Sequence, residues 1–158
     1  ETKAIINFNQ GLDVRLMTDQ DMEDLNSMWI KNVHMAWDNP RDNLEERLKW
    51  WSDNYRRKSN RGTVFVLTNF WSTFEEDVYR VETIRSLGLE PYVMVYNKPH
   101  ASRQTALFQQ WVNNKKAFYT TKFEDFCPNT VFYSEQARRI EEEKNQPKFE
   151  QLCLFDEI

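Results

Sequence analysis

The chain has 158 residues, of which 40% are hydrophobic and 15% aromatic, so it can build a sizeable core and is unlike a disordered tail. Its net charge of -4 argues against a general nucleic-acid surface, and no apolar run is long enough to span a membrane. The two cysteines, Cys127 and Cys153, lack the spacing of a zinc site, so we expect a reducing, cytoplasmic location. Residues 1–3 are neither a signal peptide nor a methionine start, which predicts a fragment or a processed chain.

The first strand-like segment, residues 5–15, starts apolar and becomes rich in amide and charged side chains around Gly11. Polar side chains at the carboxyl end of a strand are typical of α/β folds, which present their binding groups there. Asp13 and Arg15 are two residues apart and share one face of an extended chain, so they can pair. Two interpretations stay open: a structural ion pair that closes the strand end, or part of a functional site.

Helix-like and strand-like segments then alternate. Thr18 followed by acidic residues predicts a helix start, and residues 32–37 read as a short strand that ends on Asp38. Asn43 is expected to cap a second helix. Residues 63–69 are the most strand-like run, and they end on polar side chains.

The alternation continues in the second half of the domain. Ser72 or Thr73 is expected to cap a third helix, and residues 90–96 form the next predicted strand. Ser102 is expected to cap a fourth helix. We predict a last short strand at residues 116–119, followed by a closing turn.

The pattern as a whole predicts an α/β fold with about four parallel βα units and right-handed crossovers. Four units form half of a TIM-like (β/α) barrel or one small open sheet, and we expect a partial barrel over residues 1–127. Residues 128–158 are expected to form a polar C-terminal helix and tail. A half barrel leaves one sheet face bare, so we expect partly exposed side chains there and a homodimer that covers them. The side chains concerned are Phe65, Leu67, Val93 and Val95.

Two other features have open interpretations. His34 lies in an apolar run, where a satisfied core or barrel-interior histidine is favoured over a ligand. Residues 56–58 with Arg61 form a basic patch, for which a solvated helix end is favoured over a nucleic-acid site. A small hydrolytic or nucleotide-binding domain is disfavoured, because 3 glycines and 2 histidines provide no phosphate loop, serine elbow or metal spacing.

Several segments carry a further signal through their order along the chain. They are residues 9–15 (NQGLDVR), 34–38 (HMAWD), 66–70 (VLTNF), 91–99 (PYVMVYNKP) and 111–114 (WVNN). As an ordered set they resemble the C-terminal half of bacterial and phage-borne radical S-adenosylmethionine proteins. The resemblance implies a partial (β/α) barrel with S-adenosylmethionine and a [4Fe-4S] cluster at the carboxyl ends of the strands. In that family, reductive cleavage of the cofactor gives a 5'-deoxyadenosyl radical that abstracts a hydrogen from the substrate.

The resemblance also implies which side chains face the cofactor or the substrate. These are the polar residues at the strand ends, namely Gln10, Asp13, Arg15, Asp38, Thr68, Asn69, Tyr96 and Asn97. Gln10, Asp13 and Arg15 match the segment that meets the ribose and the carboxylate of the cofactor in this fold. For each residue alone, a structural role that caps a loop or a helix stays an equal alternative.

The family holds its cluster with three cysteines of a CxxxCxxC loop in the N-terminal half, which we expect to be absent here. Cys127 and Cys153 cannot supply three thiolates, so neither the cluster nor the cofactor is expected to bind this chain alone. We therefore expect a fragment that lines the cofactor and substrate side of the barrel and is inactive in isolation. Its expected partner is the missing half or a second copy of the chain.

Residues 151–155 (QLCLF) predict an alternative function as a protein-binding module. They are similar to the short peptide by which bacterial proteins dock on the DNA sliding clamp. In that interaction Gln151 would fill a polar pocket, while Leu152, Leu154 and Phe155 would fill an apolar groove. A tail that packs these apolar side chains on its own domain is the structural alternative.

Overall fold

The computed structural model describes residues 4–8, 10–57 and 61–126, which belong to one unit running from Glu1 to Phe126. Within these residues, short strands alternate with helices, as the sequence predicts. The elements are β1 (Ile6–Asn7), α1 (Asp19–Ser27), β2 (Ile30–Asn32), β3 (His34–Ala36), α2 (Glu45–Asn54), β4 (Thr63–Thr68), α3 (Phe74–Ser86), β5 (Glu90–Val95), α4 (Arg103–Asn113) and α5 (Lys115–Thr120), with 3-10 turns at Lys98–His100 and Phe123–Asp125. The predicted tail, residues 128–158, lies outside the described residues.

All strand pairings in the described part of the chain are parallel. β1 pairs with β2, and β3, β4 and β5 form a second sheet in that order. The two sheets share one continuous chain segment, residues 30–36. The backbone N–H of Leu12 donates to the carbonyl of His34 at 2.7 Å, so the first segment continues along this shared chain beyond β1. The parallel α/β architecture is confirmed, whereas the described strands do not close a barrel.

Local sequence determines where most helices begin. Thr18 and Thr73 each form a capping box with the acidic side chain three residues later, and Ser102 caps α4. The prediction that Asn43 caps α2 is wrong, since Leu44 occupies that position without a side-chain bond. Leu44 is 4% exposed, so packing rather than capping accounts for this helix start. No helix in the described ranges combines the length and apolar character needed to cross a membrane.

The prediction of a last strand at residues 116–119 is wrong, because this segment forms α5. Asn114 accepts a hydrogen bond from the backbone N–H of Ala117 and thereby starts a helical turn. Phe118 then packs edge-on against Trp111 at 4.8 Å between ring centroids. A short apolar run does not distinguish a strand from a helix, and here tertiary packing decides.

The helices cover one face of the β3–β4–β5 sheet and leave the opposite face open. Val64, Val66 and Val93 on the covered face are fully buried. On the open face Phe65 is paired in register with Tyr92, and Leu67 with Met94. Tyr92 and Met94 are 43% and 38% exposed, while Phe65 and Leu67 are half-buried.

The expectation that Val93 would be partly uncovered is therefore wrong, whereas Val95 is partly buried and packs against the core. Side chains alternate between the two faces of a strand, and the register of β5 turns Val93 toward the helices. The bare face of β5 carries Tyr92 and Met94 instead. Both faces of a parallel sheet are usually buried, so this open face is an unusual feature of the described chain.

Candidate functional site at the strand carboxyl ends

A cleft of about 350 Å³ lies between the segment that follows β1, the carboxyl end of β3 and the middle of β4. It combines polar side chains with an apolar floor. Its lining residues are Gln10, Gly11, Leu12, Asp13, Arg15, Met35, Ala36 and Phe65. The structure thus brings Gln10, Asp13 and Arg15, three of the predicted site residues, to one cleft.

Gly11 lets the backbone approach the first residue of β3, His34, closely. Its φ of +81° is a left-handed conformation, and a Cβ built at this position would lie 3.3 Å from the carbonyl oxygen of His34. Glycine adopts such a conformation without steric penalty. The close approach places the following residues, up to Arg15, along the rim of the cleft.

Asp13 and Arg15 form a two-pronged ion pair on this rim. Arg15 donates from Nε to Asp13 Oδ1 and from Nη2 to Oδ2, both at 2.8 Å, and its Nη1 contacts Asp42 Oδ2 at 3.2 Å. The hydrogen bonds from Arg15 lower the pKa of Asp13 below its ordinary value of 3.8. Asp13 is therefore ionised at neutral pH. The side chains of Arg15 and Asp13 are 55% and 38% exposed, so both remain accessible to a ligand.

Three of the other predicted site residues have clear structural roles. The Thr68 hydroxyl is buried and donates to the carbonyl of Met94 at 3.3 Å. Asn69 has a φ of +62° and donates from Nδ2 to the carbonyl of Tyr96 at 2.9 Å. Asn97 has a φ of +46° and precedes the 3-10 turn Lys98–His100. These contacts fit the structural alternative, in which such side chains fix the strand ends.

Asp38 and Tyr96 complete the predicted set. Both are exposed and follow β3 and β5, respectively, at the carboxyl edge of the sheet. Neither lines the cleft beside Asp13. The predicted residues therefore divide into the cleft group, a second group at the ends of β4 and β5, and Asp38 after β3.

Arg80 is a buried residue that sequence reasoning missed. It lies in α3 and is 0% exposed. Nη1 donates to the carbonyls of Trp37 at 2.6 Å and Asp38 at 3.0 Å, and Nη2 donates to the carbonyl of Leu67 at 2.9 Å. Nη2 also contacts Asp77 Oδ1 at 2.5 Å. Arg80 therefore ties the carboxyl ends of β3 and β4 to α3.

A sequence signal for the burial of the Asp77–Arg80 pair does exist, although not for the carbonyls that Arg80 contacts. Asp77 and Arg80 are three residues apart on the same helical face as Val81 and Ile84, which are buried. A charged pair on an apolar face indicates burial with mutual neutralisation. Burial raises the pKa of the Asp77 carboxyl, and the hydrogen bond from Arg80 opposes this effect without reversing it.

His34 lies on the open side of the sheet and is half-buried. Its ring stacks on Phe65 with 5.4 Å between centroids and an interplanar angle of 28°. Nδ1 is buried and has no hydrogen-bond partner among the described residues. His34 thus lies half-buried beside Phe65, and its unpaired Nδ1 differs from the satisfied histidine that the favoured interpretation predicts.

An iron-sulfur cluster does not fit the described residues. No group of three or more histidine, cysteine, aspartate or glutamate side chains in the described ranges could hold a metal ion. Cys127 and Cys153 lie outside those ranges, as do Gln151, Leu152, Leu154 and Phe155 of the predicted clamp-binding peptide. No protein-family model, no curated protein and no solved structure matches the chain.

Proposed function

We propose that residues 4–126 form the C-terminal part of a radical S-adenosylmethionine barrel and supply the wall that faces cofactor and substrate. One observation carries the proposal: Gln10, Asp13 and Arg15 surround a cleft beside the carboxyl ends of β1 and β3, two strands that each take part in a parallel pair. Ligands of parallel α/β folds bind at this end of the sheet, because the strand ends open there onto loops. The order of the sequence motifs supports the same family.

The cleft offers groups that suit S-adenosylmethionine. The Asp13 carboxylate would accept hydrogen bonds from the ribose hydroxyls, and the Arg15 guanidinium would bind the amino-acid carboxylate of the cofactor. The Gln10 amide provides a donor and an acceptor beside them. Met35 and Phe65 provide the apolar floor. When bound in a cluster-bearing enzyme, S-adenosylmethionine supplies a carbon radical that abstracts hydrogen.

A ligand must compete with the Asp13–Arg15 ion pair. Exposed ion pairs contribute about 0–1 kcal/mol to stability, so a charged ligand can exchange for one partner at little expense. The described residues provide no cluster ligands, so no catalytic step is assigned to them. The role proposed for this part of the chain is binding and orientation of the cofactor.

The open sheet face suggests how the barrel is completed. Tyr92 and Met94 would lie inside a closed barrel, where a second barrel part or a second copy of the chain would cover them. The Asp13 cleft borders this open face, because Phe65 belongs to both. Completion of the barrel would therefore also enclose the cofactor beside the polar rim.

Isothermal titration calorimetry of the full 158-residue chain with S-adenosylmethionine tests the proposal. Because the described residues provide no ligands for the cluster, no tightly bound cofactor is expected on the chain alone. We expect only weak binding at high S-adenosylmethionine concentration, and loss of this binding in Asp13→Asn. Asp53→Asn is the matched control, because Asp53 forms a 2.8 Å exposed ion pair with Lys49 on α2. Absence of binding to the wild-type chain, or equal binding by the two variants, would contradict the proposal.

A further inference from the structure

Three exposed aromatic side chains cluster at the ends of β4 and β5. Phe70, Trp71 and Tyr96, which we call the aromatic rim, are 43%, 60% and 49% exposed. The ring of Phe70 lies 4.4 Å from that of Trp71 and 4.4 Å from that of Tyr96, measured between centroids. Contiguous exposed apolar surface of this kind indicates an interaction site, because single exposed aromatics need no partner but clusters do.

The backbone beneath the aromatic rim is well fixed. The N–H of Tyr96 donates to the carbonyl of Thr68 at 3.0 Å, which continues the pairing of β4 and β5 to their last residues. The side chain of Asn69 then bonds to the carbonyl of Tyr96 at 2.9 Å. The two loops that carry the rings are thus linked directly by hydrogen bonds. The ring surfaces are therefore preorganised for a ligand.

The segments that carry the aromatic rim contain no acidic side chains and are followed by basic ones, although the chain as a whole carries a net charge of -4. Residues 91–123 contain no aspartate or glutamate, and residues 67–74 contain none either. Lys98, His100 and Arg103 are exposed on the loop and helix start that follow Tyr96. The surface next to the rings therefore suits an anionic ligand.

The nearest acidic side chains in sequence have other partners. Glu76 accepts a hydrogen bond from the backbone N–H of Thr73 at 2.7 Å, and Asp77 is buried against Arg80. Glu75 lines a separate groove between α3 and α4. Asp38 is exposed after β3, on the side of β4 opposite β5. An anion would thus be directed toward the β5 side of the aromatic rim.

We propose that the aromatic rim, with Lys98 and Arg103, binds single-stranded nucleic acid. Unpaired bases would stack on Phe70, Trp71 and Tyr96, and the cations would contact the phosphates. A duplex hides its base faces in the stack, and an acidic peptide would use the cations but leave the ring faces unoccupied. This site is distinct from the Asp13 cleft and does not depend on S-adenosylmethionine binding there.

The test is fluorescence anisotropy of a labelled short oligothymidylate titrated with the full chain at low salt. We expect saturable binding that weakens about tenfold or more in Trp71→Ala and in Tyr96→Ala, because each ring stacks a base. Lys98→Ala is expected to weaken binding and to reduce the slope of log affinity against log salt by about 0.7. Tyr119→Ala is the control, because Tyr119 is also 53% exposed and lies near a cation, Arg85, at 5.7 Å.

Four outcomes would overturn the inference. They are absence of oligothymidylate binding at low salt, equal affinities for Trp71→Ala and Tyr119→Ala, duplex DNA binding as tightly as the single strand, and a polyglutamate peptide binding with the same dependence on Trp71. Circular dichroism of each variant checks the fold. Asp13→Asn should retain oligothymidylate affinity, which separates this site from the proposed cofactor cleft.

Discussion

Arg80 and Asp77 form a buried ion pair on α3, with 2.5 Å between Nη2 and Oδ1 and side-chain exposures of 1% and 4%. The same guanidinium donates to the backbone carbonyls of Trp37, Asp38 and Leu67. A single helical side chain therefore neutralises a buried carboxylate and fixes two neighbouring strand ends. The shape of the candidate site depends on this arrangement, because β3 contributes to the cleft and β4 leads into the aromatic rim.

Arg80→Met should destabilise the protein by about 3–5 kcal/mol, because it leaves the Asp77 carboxylate buried without its partner. The change also removes the donor to three strand-end carbonyls. Urea unfolding followed by circular dichroism measures the effect. Lys49→Met is the control, since it breaks an exposed pair with Asp53 and should change stability by less than about 1 kcal/mol. Equal urea concentrations at the unfolding midpoint for the two variants would contradict this role of Arg80.

The Asp13 carboxyl should titrate below its ordinary pKa of 3.8, because Arg15 donates hydrogen bonds to its ionised form. A depressed pKa in the folded state means that the pair's contribution to stability is present above the unfolded pKa. That contribution is lost as the pH falls through the folded pKa. Carbon chemical shifts of the Asp13 side chain, followed by NMR during acid titration, give the midpoint.

Arg15→Met should raise the Asp13 midpoint toward 3.8, while Arg103→Met should leave it unchanged. Arg103 is exposed at the start of α4 and makes no contribution to the Asp13 shift. If the midpoint of Asp13 is the same in the wild type and in Arg15→Met, the ion pair does not set the protonation state of the cleft.

Asn69 offers a test of backbone conformation at the end of β4. Asn69→Gly removes the hydrogen bond to Tyr96 but accepts the φ of +62°, so we expect a loss of about 0.5–1 kcal/mol. Asn69→Ala loses the same bond and adds a left-handed conformation that is unfavourable by about 1–2 kcal/mol. Thermal and urea unfolding should therefore rank the alanine variant below the glycine variant. An alanine variant as stable as the glycine variant would show that the strand end relaxes.

The open sheet face should cause self-association of the isolated chain. Tyr92 and Met94 are substantially exposed there, and apolar surface of this kind is usually covered. We expect a dimer by sedimentation velocity at high protein concentration and a monomer for Met94→Lys. Leu16→Lys is the control, because Leu16 is 77% exposed near the cleft segment and away from β5. A wild-type chain that stays monomeric would contradict the expectation.

Local signals made much of the fold predictable. The capping boxes at Thr18 and Thr73 use side chains three residues away, so short-range sequence contains the information. The alternation of apolar runs and helical segments likewise predicted the parallel strands. The helical conformation of α5 was not predictable from local sequence, because the contact of Phe118 with Trp111 favours the helix over a strand.

The candidate site was likewise predictable only in part from local sequence. Gln10, Asp13 and Arg15 are close in sequence and follow a predicted strand, so their common location could be anticipated. The role of Arg80 depends on carbonyls more than ten residues away, which no local pattern contains. The face that Val93 occupies depends on the register of β5 against β4, which periodicity leaves undetermined in a short apolar strand.

The two left-handed asparagines, Asn69 and Asn97, separate the scaffold from its accessory loops. Each stands where a strand stops, and few residue types other than asparagine, aspartate and glycine tolerate that geometry. The residues after them bear little of this constraint, so their chemistry can diversify while the sheet is preserved. Grafting new sequences at positions 70–71 and 98–100 would therefore be a route to altered ligand preference without redesign of the core.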